Sequence, residues 1–173
     1  VDTSAGPIDA DAFVVAAGSA SGRLVKPLGL RLPVYPLKGY SLTFPVTGPA
    51  PKLSVTDFKR KVVYAPLDGE DGRTLRVAGM ADIAGWSQTP DPERLRQLLA
   101  EARAAFPGAA DYSIPIERLA PWCGLRPATP LGSPILGAAP VANLYLNVGH
   151  GALGWTLALA SGRVVADAIA RRP

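Results

Sequence analysis

The sequence predicts an α+β fold in which helices flank a mainly antiparallel, mixed sheet. Three observations predict it. Residues 35–45 and 53–80 have the alternation and turn residues of paired strands, residues 91–106 carry apolar side chains at helical spacing, and a strand at 143–148 leads into a last helix. Of the 173 residues, 48% are hydrophobic, so the chain can bury one sizeable core, as one domain or one domain plus a fragment.

In the first half of the chain, the apolar run at 12–17 predicts a buried, parallel strand. Residues 19–28 predict a short helix that ends near Pro27 and Gly29. The later strands are predicted at 35–45, 53–57, 60–67 and 74–80, with a Gly/Asp-rich hairpin turn at 68–72.

In the second half, Asp91 is placed to cap a helix whose first residue is Pro92, and Pro107-Gly108 ends that helix. Residues 112–127 predict one long extended segment. The helix predicted at 152–170 is apolar almost all round until Arg163, so we expect it to be buried.

The net charge of +4, with a pI near 9.5, is mild and scattered, which favours a solvated mixed surface over a nucleic-acid partner. The basic cluster at 59–61 favours an exposed hairpin over contact with acidic lipid headgroups. A single cysteine, Cys123, excludes an internal disulfide and fits a reducing compartment. The sequence has no signal peptide, no membrane-spanning run and no initiator Met, so we interpret it as a piece of a longer protein.

The most informative motif is G-x-G-x-x-G at 149–154, between the last strand and the last helix. A glycine turn that feeds a helix N-terminus lets an anionic ligand approach backbone N–H groups. A dinucleotide fingerprint also needs a second strand and an acidic residue about 20 positions on, whereas the last acid, Asp167, lies inside the helix. The motif alone is therefore equally typical of a turn that needs glycine for positive φ.

His150 lies in this turn and is the only histidine. It has no serine or carboxylate partner at a triad spacing, and one histidine with one cysteine argues against a zinc site. We therefore predict no metal site and assign no catalytic acid or base.

Several segments together resemble one known family. They include G-L-R-P-x-T-P at 124–130 and G-H-G-x-L-G-W-T at 149–156, and the other matching segments are 34–41, 77–82 and 132–137. In this order and spacing they are similar to the C-terminal part of the D-amino-acid dehydrogenase small-subunit family, within the FAD-dependent D-amino-acid oxidase/glycine oxidase superfamily. The resemblance covers essentially the whole chain.

The resemblance implies that this chain is roughly the last two fifths of such an enzyme. Residues 1–28 would be a remnant strand and turn of the FAD-binding domain, 29–130 the substrate-binding domain, and 131–173 the strands and helix that return to the FAD-binding domain. The ADP-binding glycine fingerprint of the N-terminal half is absent from the sequence. We therefore expect the chain to be inactive until that missing half is restored.

The activity that the resemblance implies is oxidative deamination of D-amino acids to 2-oxo acids and ammonia, by hydride transfer to FAD. Electrons would pass to a quinone or another electron-transfer acceptor, from a cytoplasmic protein in peripheral contact with the inner face of the membrane. Two alternatives stay open. One is a flavin oxidase acting on glycine, sarcosine or proline, and the other is a non-catalytic folded fragment.

On the substrate side, the resemblance assigns Arg126 to the substrate carboxylate, which a guanidinium can bind bidentately. From spacing alone, Arg126 would be a structural ion pair. Tyr64 and Tyr40 would wall the substrate pocket or hydrogen-bond the carboxylate, although aromatic residues on strands are more often core. Met80 and Trp122 fit a pocket or the core equally well.

On the cofactor side, the resemblance places the glycine turn at the flavin ring, where a helix N-terminus would stabilise the negative charge of reduced flavin. His150 would contact the flavin or pack within the turn, in preference to acting as a general base. The residues expected to bind FAD are Gly18, Gly149, His150, Gly151, Leu153, Gly154 and Thr156. Cys123 is expected to be a buried apolar residue.

Overall fold

A computed structural model describes residues 1–70 and 72–171. The described chain forms two compact units, Val1–Pro36 with Arg126–Pro173, and Leu37–Leu125. The strands are β1 (Asp2–Thr3), β2 (Gly6–Pro7), β3 (Phe13–Val15), β4 (Tyr35–Pro45), β5 (Val55–Asp57), β6 (Val62–Gly69), β7 (Gly72–Asp82), β8 (Trp122–Ala128), β9 (Ile135–Ala138) and β10 (Leu144–Val148). The helices are α1 (Ser21–Val25), α2 (Pro92–Ala105) and α3 (Gly154–Ala170), with 3-10 turns at Gly18–Ala20, Lys26–Leu28 and Ile116–Arg118. This α+β content confirms the predicted class.

The first unit is built on a three-stranded sheet in the order β3-β10-β9. β10 runs parallel to β3 and antiparallel to β9. The core of the first unit consists of Val15, Val25, Leu144, Leu146 and Val148. The predicted parallel strand is confirmed, but it is shorter than 12–17 and only partly buried, because Val14 points away from this core and is 46% exposed.

The second unit is built on an antiparallel sheet in the order β5-β6-β7-β4-β8. β4 has the predicted bounds, and the predicted hairpin joins β6 to β7, where Gly69 pairs with Gly72. Asp71, within that predicted turn, lies outside the described residues. The basic cluster at 59–61 forms the exposed turn between β5 and β6, as predicted.

Helix α2 covers one face of this sheet. Asp91 caps it, since its Oδ1 atom accepts a hydrogen bond of 2.8 Å from the backbone N–H of Glu93. Leu95, Leu98 and Ala102 are buried against the strands. The helix lies so close to β7 that a Cβ atom on Gly79 would be 3.4 Å from Leu98 Cδ2. The predicted helix and its cap are confirmed, and Cys123 is buried in the same core.

Two predictions are wrong. Residues 112–127 are not one extended segment, because the chain turns at Ile116–Arg118, where the N–H of Leu119 donates to the Ile116 carbonyl, and becomes a strand only at Trp122. Helix α3 is not buried all round. It packs one side on β9 and β10, whereas Trp155 is 95% and Leu159 91% exposed in the described chain.

Strand β9 was not predicted, because Ile135–Ala138 contains a glycine and is only four residues long. The helix predicted at 19–28 is present as α1 with a 3-10 turn on each side, and it ends at Gly29 with φ of 77°. None of the described helices has the length and apolar content needed to cross a bilayer.

The packing of α2 predicts a contrast between two leucines of the second unit. Leu98→Ala should lower the free energy of unfolding by about 2–5 kcal/mol, because Leu98 is fully buried and its loss leaves a cavity. Leu53→Ala should change it by less than about 0.5 kcal/mol, because Leu53 is 78% exposed. Urea unfolding followed by circular dichroism measures both. Equal losses would contradict the packing described for α2.

Candidate functional site

The glycine turns of the first unit meet at one edge of its sheet. Val15 of β3 is in register with Leu146 of the parallel strand β10, so both strands end at the same edge. Gly18 follows Val15 by three residues, and Gly149 follows Leu146 by three. Ligands of open sheets bind outside the carboxyl ends of parallel strands. The structure therefore places at one edge of the sheet the two turns that the resemblance assigns to the cofactor.

Within the second of these turns, two glycines are required for different reasons. Gly149 has φ of 82°, and a Cβ atom there would be 2.5 Å from Thr129 Cγ2. Gly151 has φ of 56°, with nothing within 4 Å of a Cβ position, and its N–H donates to the Pro127 carbonyl at 2.9 Å. Gly149 thus permits a close approach of two segments, and Gly151 leaves open space beside the turn.

Helix α3 begins at Gly154 with an uncapped N-terminus. Its N-cap residue, Leu153, makes no side-chain cap hydrogen bond, and no acidic residue lies in the first turn. Leu153 and Thr156 are exposed. Since the first N–H groups of a helix have no partners within the helix and carry the positive end of its dipole, this terminus suits an anionic or hydrogen-bond-accepting group.

Two buried polar atoms next to this turn have no hydrogen-bond partner in the described part of the chain: Nε2 of His150 and Oδ1 of Asn147. Buried polar atoms are nearly always paired in native proteins, so each one indicates a missing partner. Asn147 is the last residue but one of β10, and His150 lies between the end of β10 and the start of α3. Asn147 was not predicted, although its place just before the glycine turn could have suggested it.

These features fit the flavin of FAD. A flavin ring presents carbonyl and nitrogen acceptors and gains negative charge on reduction, which matches an uncapped helix N-terminus beside an open glycine turn. The Nε2 and Oδ1 atoms, which have no partner among the described residues, would supply further hydrogen bonds to such a ring. The described residues contain no group of three or more His, Cys, Asp or Glu side chains placed to hold a metal ion.

Arg126 lies on β8, within the first unit, and is half-buried. Burial lowers the pKa of its guanidinium, yet arginine remains charged in proteins. A partly desolvated guanidinium binds a carboxylate more strongly than an exposed one, because water screens the pair less. Its assignment to the substrate carboxylate stays a prediction.

Tyr40 belongs to the core of the second unit and is 2% exposed. Its hydroxyl donates to Asp82 Oδ2 at 2.9 Å, and Arg94 holds the same carboxylate with two hydrogen bonds of 3.0 and 2.8 Å. Burial, with the neighbouring Asp82 carboxylate, raises the pKa of Tyr40 to about 12. This network ties β4 and β7 to the start of α2, so its geometry favours a structural role.

Tyr64 is also 2% exposed and belongs to the same core. Its ring packs edge-to-face on Phe106 at 5.1 Å, and its hydroxyl donates to the Glu101 carbonyl at 3.4 Å. Burial raises its pKa. Both tyrosines therefore lie on the sheet face that α2 covers, and their role in substrate binding stays a prediction.

The chain belongs to the FAD dependent oxidoreductase family (DAO), whose model matches residues 1–168. It is 53% identical over 178 residues to D-amino acid dehydrogenase 2 of Ralstonia nicotianae, covering 99% of this chain and 41% of that protein. It is 50% identical over 173 residues to D-amino acid dehydrogenase of Paramagnetospirillum magneticum, covering 99% and 39%.

Among solved structures, the chain is similar to glycine oxidase from Geobacillus kaustophilus, with a TM-score of 0.82 and 28% identity over 99% of this chain and 45% of that one. The resemblance read from the motifs is thereby confirmed. The chain spans about two fifths of the length of the curated relatives it matches.

The contact between Gly149 and Thr129 predicts a difference between two glycine substitutions. Gly149→Ala and Gly151→Ala should each lower the free energy of unfolding by about 1–2 kcal/mol, because both impose positive φ on alanine. Gly149→Ala should cost more, because its Cβ atom also meets Thr129 Cγ2. Urea unfolding of the purified variants measures the difference.

Thr129→Ser removes the obstructing methyl group and keeps the hydroxyl that donates to the Ser133 carbonyl. In the Gly149→Ala background it should recover most of the extra loss, and in the Gly151→Ala background it should recover none. Equal recovery in both backgrounds would contradict the contact.

Proposed function

We propose that the protein to which this chain belongs is an FAD-dependent D-amino-acid dehydrogenase. It oxidises the Cα–N bond of a D-amino acid, and water then hydrolyses the imino acid to a 2-oxo acid and ammonia. The observation that carries the proposal is the uncapped N-terminus of α3, which opens beside the orphaned Nε2 atom of His150. The relatives at 50% and 53% identity bear the name D-amino acid dehydrogenase.

In this proposal, bound FAD supplies the acceptor for the hydride that leaves the substrate Cα atom. The chain supplies charge and orientation. The N–H groups at the start of α3 stabilise negative charge at the edge of the flavin site. His150 and Asn147 donate or accept the remaining hydrogen bonds there, and Gly18 lets the neighbouring turn approach the same ligand.

Arg126 orients the substrate by holding its carboxylate in a bidentate pair. No residue of this chain needs to act as a strong base, because hydride loss requires only a deprotonated substrate amine. The flavin side of the site is formed by residues 1–28 and 131–173, and the substrate side by residues 29–130. Residues 172 and 173 lie outside the described part of the chain. Electrons pass on to a quinone-linked acceptor at the inner face of the membrane.

The test uses the longer protein that contains this chain, purified with FAD and assayed with a panel of D-amino acids. We expect turnover with a soluble quinone analogue and far slower turnover with oxygen, and no turnover by the 173-residue chain alone. The solved glycine oxidase structure favours one alternative, a flavin oxidase. Rapid oxygen consumption with glycine, sarcosine or proline would support that alternative and overturn the dehydrogenase proposal.

Arg126→Lys in the longer protein tests the carboxylate contact. We expect KM for D-amino acids to rise at least about tenfold, because lysine offers a point charge in place of a planar fork. The flavin absorption spectrum should not change. Arg118→Lys is a matched control, since Arg118 is exposed on the turn at Ile116–Arg118. An unchanged KM in Arg126→Lys would remove Arg126 from the substrate site.

A further inference from the structure

The five-stranded sheet of the second unit has a second face, opposite α2. Along β7, Leu75 and Val77 are buried in the α2-facing core, so the side chain of Arg76 between them points to the other face. Ser41 of β4 alternates in the same way with Leu42. Residues on this face of β6 and β7 are only half-buried in the described chain. This face therefore places the half-buried Arg76 beside Ser41, which is buried.

The guanidinium of Arg76 is held there from two sides. Its Nη2 atom donates to Ser41 Oγ at 3.0 Å, and its Cζ atom lies 5.5 Å from the centre of the Trp122 ring. The indole of Trp122 lies against the backbone of β8 at Gly124, where a Cβ atom would overlap it. These two contacts restrain the guanidinium before any ligand binds.

Arg76 forms no ion pair within residues 1–70 and 72–171, whereas Arg60, Arg73, Arg94, Arg96 and Arg163 each pair with an acidic side chain. Arg76 is half-buried. The guanidinium has five N–H donors, and the bond to Ser41 uses one of them. Donors therefore remain for a ligand in the plane of the group.

We propose that Arg76, Ser41 and Trp122 form a binding site for a carboxylate group. A fixed guanidinium presents two parallel N–H donors, which match the two oxygens of a carboxylate. The Ser41 hydroxyl and the Trp122 ring keep that fork in place, so little side-chain entropy is lost on binding. The site is independent of the proposed dehydrogenase activity, because it is defined by this chain's own contacts and is tested by binding.

The carboxylate has two possible sources, a free small organic acid or an Asp or Glu side chain from the part of the longer protein outside this chain. Succinate, with its neutral isostere succinamide, is the probe for both. Trp122 is a built-in reporter once Trp86→Phe and Trp155→Phe remove the other two tryptophans. Calorimetric titration of the unsubstituted chain gives a second readout that does not depend on those substitutions.

At constant ionic strength, succinate should change the Trp122 fluorescence in a saturable way, while succinamide and sodium chloride should not. Arg76→Gln should abolish the response, and Arg76→Lys should weaken it at least about tenfold because the fork is lost. Gly124→Ala should also weaken it, because it displaces the indole. Arg96→Gln, an exposed arginine of the same unit, should leave it unchanged.

A response in the 173-residue chain that disappears in the longer protein assigns the carboxylate to that protein's own side chains. A response in both assigns it to a free acid. The proposal is overturned if succinate gives no saturable signal by either readout, if succinamide or chloride gives the same signal, or if Arg76→Gln, folded by circular dichroism, retains it.

Discussion

The parallel pairing of β3 with β10 is the constraint on which the first unit depends. Parallel strands need a long crossover between them, and here residues 37–125, which form the whole second unit, lie within that crossover. Because the two strands are in register and end together, two glycine turns far apart in sequence meet at one edge of the sheet. The cofactor side of the proposed site thus exists only when this pairing forms.

Local patterns predicted the elements that depend on local physics. The bounds of β4, the hairpin between β6 and β7, and the cap of α2 follow from alternation, turn residues and one aspartate. Strand β9 and the turn at Ile116–Arg118 did not follow from pattern, since β9 has four residues and contains a glycine, and the turn is a single 3-10 turn of three residues. The apolar composition of α3 predicted burial, but composition does not say which sides of a helix another element covers.

Part of the candidate site could likewise be predicted from the sequence, and part could not. The glycine turn was found from its motif, because positive φ and close approach select glycine. The sequence could not show that the Nε2 atom of His150 is buried without a partner, because this depends on the atoms that surround it in the folded chain. Alternation placed Tyr40 on one face of its strand, but it does not tell which face packs against α2. Arg76 on an alternating strand was indistinguishable from a solvated residue.

The two long helices differ at their N-termini, because α2 is capped and α3 is not. Asp91 caps α2, and its carboxylate satisfies the first N–H groups and neutralises the positive end of the dipole. Helix α3 has neither a side-chain cap nor an acid in its first turn, an omission that costs about 1 kcal/mol relative to a capped terminus. A carboxylate there would repel a ligand that carries negative charge. The lower stability of this terminus leaves those N–H groups available to the anionic ligand that the proposed function requires.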